Sequence, residues 1–420
     1  MSQQFQAPPG TFDVLPPDSA RYTELVARFA GHASRAGFGL IVQPMFEDVG
    51  VFQRLGGSTD IVRKEMYDFE DKGGRHIALR PEGTAPVARA YVQHRPPVPW
   101  KVWYLTPKFR YERPQAGRFK QHHEVGAEAL GTDDADLDVE LIALAWFFYA
   151  DLGLSRVRLL LNSLGDGTCR PAYRAALQAF LEARRDQLCD EHKDRIVDNP
   201  LRVLDCKRPA CQEATKDAPR QLDHLCEPCA AHFARVTSGL DALGIPHTVE
   251  TRLVRGMDYY TRTTFEFAAE ALESAQNAVG GGGRYDGLVE QLGGPATPGI
   301  GFGLGIERIL LACDAEGVFA VPESRTDVFI VDTTGQAATR LAHRLRQAGV
   351  RCDRAFDGRS MKAQMKAADR AGARLALIIG DDEAAAGTVS VRGLQGLRGE
   401  GGQETVAMDD VVDYVRGLLT

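Results

Sequence analysis

Residues 299–308 read GIGFGLGIER, a pattern in which a short glycine-rich strand leads directly into a helix. A second glycine-rich stretch precedes it, because residues 280–283 are four consecutive glycines. Glycine has no side chain, and it therefore lets the backbone approach another group closely. We expect the backbone of both segments to lie close against something else in the fold or in a site.

The segments that precede these glycines predict an α+β fold with long antiparallel strands. Residues 19–36 carry apolar side chains at helical spacing, whereas residues 100–111 alternate in the manner of a strand. Residues 121–130, QHHEVGAEAL, also fit a strand, which places Glu124 and Glu128 on one face. That face is either an ordinary solvated face or part of a site, and this strand alone does not decide between the two.

The rest of the chain predicts a helical insertion and a second domain. Helical patterns dominate from about residue 136 to 245, and we expect an insertion at about 160–240 within a first domain of residues 1–322. Residues 326–420 then repeat a strand–helix order, which is typical of a small α/β domain with some parallel strand pairing.

The composition excludes several classes of protein. The chain has 420 residues and a net charge of −7, which argues against a general nucleic-acid coating protein, because nonspecific phosphate binding needs many Lys and Arg side chains. No apolar run approaches the roughly 18 residues that span a bilayer, and the N-terminal segment lacks the pattern of a signal peptide. We therefore expect a cytoplasmic protein that makes no membrane contact and only local contact with RNA.

Four of the cysteines form two closely spaced pairs. Cys206 and Cys211, followed by Cys226 and Cys229, give the pattern C-x4-C…C-x2-C with fourteen residues between the pairs. In a reduced compartment this spacing predicts one tetrahedral structural Zn²⁺ site, and the alternative is a set of buried thiols without a metal. The remaining cysteines are expected to be ordinary small apolar residues: Cys169, Cys189, Cys313 and Cys352.

Three segments in this order resemble the signature motifs of class II aminoacyl-tRNA synthetases. They are the helix and strand that end at Pro44, the segment FRYERP at 109–114, and GFGLGIERIL at 301–310. Two more segments, LVRGMDYYTRTTFEF at 253–267 and AVGGGGRYDGL at 278–288, closely resemble the histidine-specific motifs of histidyl-tRNA synthetases. The resemblance to the bacterial type of this family covers nearly the whole chain.

This resemblance implies both a fold and an activity. The expected fold is a class II catalytic domain, an antiparallel sheet with flanking helices, followed by an α/β anticodon-binding domain from about residue 326. The implied enzyme activates histidine with ATP to histidyl-adenylate and transfers it to the 3′ end of tRNA-His. Mg²⁺ is expected to accompany ATP, and the class implies a homodimer.

The resemblance assigns five charged residues to ATP. Adenylation builds negative charge on phosphate oxygens, and planar guanidinium groups that are always charged suit that task. Arg110 and Arg255 are implied at the α-phosphate, with Arg255 also at the substrate carboxylate. Arg118 and Arg308 match positions that clamp the γ-phosphate, and Glu112 is implied near the adenine or the nucleotide.

The histidine side chain is assigned to an aromatic pocket. Tyr259, Tyr260 and Tyr285 are implied to line it, although an adjacent tyrosine pair is also typical of an ordinary core. Neutral imidazole offers one hydrogen-bond donor and one acceptor, so a selective pocket needs one group of each opposite kind. Glu128 and Tyr260 can supply these two groups.

The substrate ammonium group is assigned to residues near the start of a helix. Glu82 and Thr84 match the positions that hold it, and Thr84 would also suit a helix cap. Glu124 departs from the usual pattern, because most relatives carry Gln there. Its carboxylate either joins the other acidic groups around the ammonium group, or forms a salt bridge with a base such as Lys120 or Arg118. In the first case we expect repulsion among the carboxylates to raise at least one pKa.

Two other functions share part of this resemblance. The regulatory subunit of ATP phosphoribosyltransferase resembles the catalytic domain and senses histidine without catalysis. Residues 255–260, RGMDYY, together with Arg110 and the C-terminal domain, argue against it, because that relative typically has lost them. Another class II-like adenylating ligase, acting on a free amino acid or a vitamin, would need neither the insertion nor residues 326–420.

Overall fold

The computed structural model describes residues 5–54, 59, 61–113, 117–272, 277–321, 326–394 and 402–419. Pro114 of the second motif and Pro322 at the expected domain boundary lie outside these ranges. The chain forms two compact units, residues 1–321 and residues 322–420.

The first unit is built on a large mixed sheet and a small antiparallel sheet. In the described ranges its strands are β1 (Gly39–Leu40), β2 (Phe46–Asp48), β3 (Tyr67–Glu70), β4 (His76–Leu79), β5 (Trp100–Phe109), β6 (Gln121–Leu130), β7 (Val157–Ser163), β8 (His247–Val249), β9 (Thr261–Ala269), β10 (Ala278–Arg284) and β11 (Gly299–Gly305). The large sheet has the order β1-β5-β6-β11-β10-β9-β7-β8, and β2-β4-β3 form the small one. The six central strands pair with one another in antiparallel fashion, which confirms the predicted antiparallel core, whereas β1 and β8 pair in parallel with β5 and β7 at the edges.

Helices flank this sheet and supply most of its core. The described α-helices of the first unit are α1 (Asp18–Arg35), α2 (Val49–Gln53), α3 (Thr84–His94), α4 (Ala135–Asp151), α5 (Arg170–Glu182), α6 (Asp190–Lys193), α7 (Arg195–Asp198), α8 (Leu201–Leu204), α9 (Pro209–Ala214), α10 (Glu227–Ala242), α11 (Leu288–Gln291) and α12 (Ile306–Glu316). Phe29 of α1 packs edge-on against Phe148 of α4 and Phe302 of β11, so apolar faces at helical spacing bury one side of the sheet. None of the helices in the described ranges combines the length and apolar character that crossing a bilayer requires.

A buried ionic network ties α4 to the sheet and to α10. The Asp138 carboxylate of α4 lies 2.7 Å from the Arg284 guanidinium at the end of β10, and both side chains are fully buried. His232 of α10 contacts the same carboxylate at 2.8 Å. A buried charge is costly unless it is paired and hydrogen-bonded, and this network satisfies that condition. It fixes the end of the glycine-rich strand β10.

The helical region between β7 and β8 runs from α5 to α10. Residues 157–163 belong to the large sheet, so this region begins later than residue 160. Its short helices enclose a small core of their own, which includes Tyr173, Leu177, Ile196 and Val203. Much of the region consists of short helices and turns, and cysteines lie among its buried residues.

The second unit is a small α/β domain. Its described elements are β12 (Val328–Asp332), α13 (Ala338–Gln347), β13 (Cys352–Arg354), α14 (Met361–Arg370), β14 (Leu375–Ile379), α15 (Asp381–Ala386), β15 (Thr388–Gly393), β16 (Gln403–Ala407) and α16 (Val411–Leu419). The sheet order is β13-β12-β14-β15-β16. β12 pairs in parallel with β13 and β14, as the strand–helix repeat predicted, and β15 and β16 add an antiparallel edge.

Candidate active site

The first unit contains a cavity of about 570 Å³ between the large sheet, the start of α3 and the loop before β9. Most of the residues that the sequence assigned to substrates line it: Glu82, Thr84, Arg110, Arg118, Glu124, Arg255, Tyr259 and Tyr260. The remaining four assigned residues contact lining residues, as described below: Glu112, Glu128, Tyr285 and Arg308. The structure therefore brings together side chains from segments that are far apart in the sequence.

Glu128 lies directly beneath the cavity wall and is fully buried. One carboxylate oxygen accepts hydrogen bonds from the Thr84 hydroxyl at 2.7 Å and the Tyr104 hydroxyl at 3.2 Å. The other accepts a hydrogen bond from the Tyr285 hydroxyl at 2.7 Å. Burial raises the pKa of Glu128 to about 8, although the hydrogen bonds from Tyr285 and Thr84 act in the opposite direction.

Glu82 holds the beginning of α3. Its two carboxylate oxygens accept hydrogen bonds from the backbone N–H groups of Thr84 and Ala85, each at 2.8 Å. The Tyr259 hydroxyl donates to the same carboxylate at 3.2 Å. Burial raises the pKa of Glu82, and Lys108 opposes that shift. Glu82 rather than Thr84 therefore caps the helix, because the Thr84 hydroxyl is turned to Glu128.

Glu124 forms a salt bridge, but with a partner that the sequence did not suggest. Its carboxylate pairs with the Lys108 ammonium group, and both side chains are largely buried. The Tyr104 hydroxyl lies 3.3 Å from the same carboxylate. Arg118 and Lys120, the expected partners, instead contact Glu112 and an aromatic ring. Tyr104 thus lies within hydrogen-bond distance of both Glu124 and Glu128.

Glycines make room for these carboxylates. On β11, a side chain at Gly301 would overlap the Glu128 carboxylate, and one at Gly303 would overlap that of Glu124. On β10, a Cβ atom at Gly281 would lie 2.8 Å from the Arg255 guanidinium. The expected close approach of the glycine-rich segments is therefore confirmed. The groups that approach are the acidic and basic side chains of the cavity.

Arg255 stands on the loop before β9. Its guanidinium donates a hydrogen bond to the Glu266 carboxylate at 3.0 Å and lies 5.8 Å from the centre of the Tyr260 ring. The Tyr260 ring in turn lies 4.7 Å from that of Tyr259, and Tyr285 packs edge-on against Tyr259 at 6.0 Å. A cation is thus held next to a buried aromatic cluster within reach of the carboxylates.

Three arginines and a glutamate form a second group of charged side chains at the site. Arg110 donates to the Pro81 carbonyl at 2.8 Å and lies 3.7 Å from the Glu112 carboxylate. Arg118 donates to the same carboxylate at 3.3 Å, so Glu112 stands between two cations. Arg308, at the start of α12, donates to a backbone carbonyl of β10 at 2.5 Å. Several fixed positive charges therefore face one region, as polyphosphate binding would require.

Three contributors to the site, and one contact outside the cavity lining, were missed in the sequence. Tyr104 and Lys108 lie on β5 opposite β6, and the period of two that placed Glu124 and Glu128 on one face of β6 would also have placed them. Glu266 pairs with Arg255 across a turn, and Glu307 of α12 contacts the His123 ring at 2.8 Å. No local sequence pattern predicts these two contacts, because they depend on the turn before β9 and on the pairing of β6 with β11.

The four paired cysteines do not form one site, and that prediction is wrong. Cys206 and Cys211 lie with Cys189 and His192, whereas Cys226 and Cys229 lie with Asp166 and Cys169. Cys169 and Cys189, which were expected to stand apart from the paired cysteines, thus lie within these two groups. Cys313 is buried in the main core, and Cys352 packs against the core of the second unit.

The fold and the site together define a class II aminoacyl-tRNA synthetase. A largely antiparallel sheet borders a cavity that is lined by arginines and carboxylates, and a separate α/β unit follows in the chain. The family model described as histidyl-tRNA synthetase matches residues 10–309, and an anticodon-binding domain matches residues 321–418. The chain belongs to the histidyl-tRNA synthetase family.

Individual relatives agree with this membership over the full length. The chain is 50% identical to a protein of Rhodococcus erythropolis named histidine–tRNA ligase, over 99% of this chain and 98% of that protein. The crystal structure of apo S. aureus histidyl-tRNA synthetase superposes with a TM-score of 0.83 at 36% identity, over 98% of this chain and 100% of that one. A Bacillus halodurans structure described as an ATP phosphoribosyltransferase regulatory subunit/histidyl-tRNA synthetase shares the fold, with a TM-score of 0.65 at 20% identity, over 90% and 98% of the two chains.

Proposed function

We propose that this chain activates histidine with ATP and transfers the histidyl group to the 3′ end of tRNA-His. The observation that carries the proposal is that one cavity is lined by carboxylates, tyrosines and several arginines together. An enzyme that adenylates an amino acid needs both kinds of surface within a few ångströms of each other. Full-length similarity to proteins named histidine–tRNA ligase supports the same activity.

The buried end of the cavity recognises histidine. Glu128 and Tyr260 hydrogen-bond the two imidazole nitrogens, while Tyr259 and Tyr285 form the walls. A pocket that pairs with both nitrogens leaves its own buried polar groups unpaired when an analogue lacks one of them. Discrimination of about 10⁴ to 10⁵ then needs no editing step. Glu82, Thr84 and Glu124 surround the α-ammonium group.

The arginines act on the phosphates. A histidine carboxylate oxygen attacks the α-phosphorus, the bond from that phosphorus to the bridging oxygen breaks, and pyrophosphate leaves. Arg110 and Arg255 stabilise the charge that grows on the α-phosphate, and Arg118 and Arg308 hold the γ-phosphate. Glu112 positions Arg110 and Arg118 near the nucleotide. A ribose hydroxyl of the tRNA then attacks the histidyl carbonyl, and AMP leaves.

Mg²⁺ fits this site as an ion held largely by phosphates and waters. Glu266 and Glu124, two carboxylates of the cavity lining, are already paired with Arg255 and Lys108. The triphosphate and water would therefore supply most of the oxygen ligands, as is usual for Mg²⁺ in nucleotide sites. When bound with ATP, the ion neutralises part of the charge on the phosphate oxygens.

The working assembly is a cytoplasmic homodimer. Apolar surface is exposed in the single chain at the end of the first class motif and just after it, by Leu40, Val42, Met45 and Phe46. A second copy would cover this surface, as the class implies. The α/β unit from residue 326 contacts the anticodon of the tRNA. Because the substrates tRNA and ATP are used in the cytoplasm, we expect the protein to act there.

The direct test is aminoacylation of tRNA. Purified protein, ATP, Mg²⁺ and radiolabelled histidine should produce acid-precipitable histidyl-tRNA from bulk tRNA, and the product should be tRNA-His. A histidine-sensing regulatory subunit of ATP phosphoribosyltransferase, the less supported alternative, would bind histidine without charging tRNA. Light scattering on the same preparation should give the mass of a dimer.

A further inference from the structure

Two clusters of metal-ligating side chains lie in the helical region between β7 and β8. In the first, which we call the distal cluster, one ligand atom from each of Cys189, His192, Cys206 and Cys211 lies within 4.8 Å of all the others. The Cys189 sulfur is 2.9 Å from Nδ1 of His192, and the Cys189 backbone N–H donates to the Cys211 sulfur at 3.2 Å. Cys206 and Cys211 are buried, so the cluster is partly closed to solvent.

The second, proximal cluster has a carboxylate in place of the histidine. Asp166, Cys169, Cys226 and Cys229 also lie within 4.8 Å of one another. An Asp166 carboxylate oxygen is 3.5 Å from the Cys169 sulfur and 3.8 Å from the Cys226 sulfur. The same oxygen accepts hydrogen bonds from two backbone N–H groups of the following turn, which fixes its orientation.

We propose that each cluster binds one structural Zn²⁺. Three thiolates with one imidazole or one carboxylate form a closed four-ligand set, which suits a tetrahedral zinc site. Around such an ion the sulfur atoms lie about 3.8 Å apart, because Zn–S bonds are about 2.3 Å long. Both clusters therefore need only small adjustments to bind. Each site would release three thiol protons to solvent on binding, and His192 would ligate as neutral imidazole through Nδ1.

The two sites are nested in the chain. The proximal cluster joins residues 166–169, just after β7, to residues 226–229, where α10 begins. The distal cluster joins residues 189–192 to residues 206–211 inside that loop. The proximal site thus closes a long loop of the chain, and the distal site closes a shorter loop inside it. Such closure stabilises a region whose short helices enclose only a small apolar core.

Each cluster also lies beside an arginine that contacts the histidine-specific motif. Arg170, which follows Cys169, donates to the Tyr260 carbonyl. Arg202, between the two halves of the distal cluster, donates to the Gly256 carbonyl at 2.5 Å. Zinc binding is therefore expected to hold residues 256–260 in place through these two positioning residues.

The test is the zinc content of the full-length protein, measured by mass spectrometry under native conditions and by elemental analysis. Protein purified without chelators should hold about two zinc ions per chain, one for each cluster. Cys189→Ser and Cys226→Ser should each lose about one ion, and the double variant both. Cys352→Ser, which changes a cysteine of the other unit, should keep both ions.

Hydrogen exchange assigns each loss to its cluster. Cys189→Ser should speed amide exchange at residues 189–211, and Cys226→Ser at residues 166–169 and 226–229, with residues 256–260 affected in both. Protein without bound zinc after zinc-supplemented expression would overturn the proposal and leave two groups of buried thiols. A single ion that is lost in both variants would overturn the assignment of two separate sites.

Discussion

Lys108 and Glu124 form an ion pair inside the wall of the active-site cavity, with side chains that are only 5% and 12% exposed. The carboxylate occupies the position where the family resemblance implies an amide, so this chain has a negative charge and a buried cation that compensates for it. The pair leaves the site with a local charge balance that a single substitution would disturb. Removing one partner of a buried pair leaves the other charge without compensation.

Glu124→Gln is therefore expected to destabilise the protein and weaken histidine binding. The loss of the charge should cost about 1–3 kcal/mol of unfolding free energy, because the Lys108 ammonium group keeps only a neutral partner. Histidine and histidinol, which both carry the amine, should each bind about tenfold more weakly, equivalent to about 1.4 kcal/mol. Calorimetric titration with both ligands at neutral pH measures this.

The double variant Lys108→Met with Glu124→Gln is the control for that prediction. It removes both charges and should recover most of the lost stability, since an apolar replacement of a buried pair is often neutral. If histidine binds to Glu124→Gln as tightly as to the wild type at neutral pH, the carboxylate does not hold the substrate amine.

The raised pKa of Glu128 predicts a pH dependence of stability. Its carboxyl has a pKa of about 8 in the folded protein against an ordinary value of 4.5. Between these pH values the folded protein keeps a proton that the unfolded chain has lost. The contribution of Glu128 to the free energy of unfolding is therefore complete below pH 4.5 and is lost as pH rises through about 8. Glu128→Gln should remove this part of the slope of melting temperature against pH. Glu182→Gln, at an exposed carboxylate, should keep the slope, and identical slopes for all three proteins would contradict the assignment.

The glycines of β11 give a steric test of the site. A methyl group at Gly301 would overlap the Glu128 carboxylate, so Gly301→Ala should displace it and cost about 1–3 kcal/mol of stability. Histidine binding should weaken by more than about tenfold, equivalent to about 1.4 kcal/mol. Gly305→Ala is the matched control on the same strand, because its nearest neighbouring atom is 3.9 Å away. Equal histidine affinities for the two variants would show that this face of β11 does not shape the pocket.

Arg255 is expected to act mainly in the transition state of adenylation. Arg255→Ala should lower the rate of adenylate formation by about 10² to 10³, while the KM values for histidine and ATP change far less. Rapid-quench measurement of the first turnover separates the chemical step from product release. Arg158→Ala is the control, because it removes an arginine whose side chain is 55% exposed and pairs with Glu270. A first-turnover rate within about threefold of the wild type would contradict the role.

The sequence predicted the elements more completely than the contacts between them. The period of two in residues 121–130 placed Glu124 and Glu128 on one face, and the structure places both at the cavity. We expected repulsion among the carboxylates to raise at least one pKa. Burial is instead the largest cause of the raised pKa of Glu128 and of Glu82. The depth of a side chain follows from the packing of α3 and β5 around it, and no local pattern gives that depth.

The cysteines show the same limit. Their spacing predicted metal binding from two pairs, but spacing alone cannot say which pairs meet in space. The structure separates the pairs because Asp166 and Cys169 meet Cys226 and Cys229, while Cys189 and His192 meet Cys206 and Cys211. In each cluster, the two pairs of residues that meet are separated in the sequence by more than one helix.

The measurement that tests the central claim most directly is amino-acid-dependent exchange of radiolabelled pyrophosphate into ATP. The purified protein should catalyse this exchange with histidine and with none of the other standard amino acids. Such a result requires both the histidine pocket and the arginines at the phosphates to work together. Exchange that depends on a different amino acid, or histidine binding without any exchange, would contradict the account.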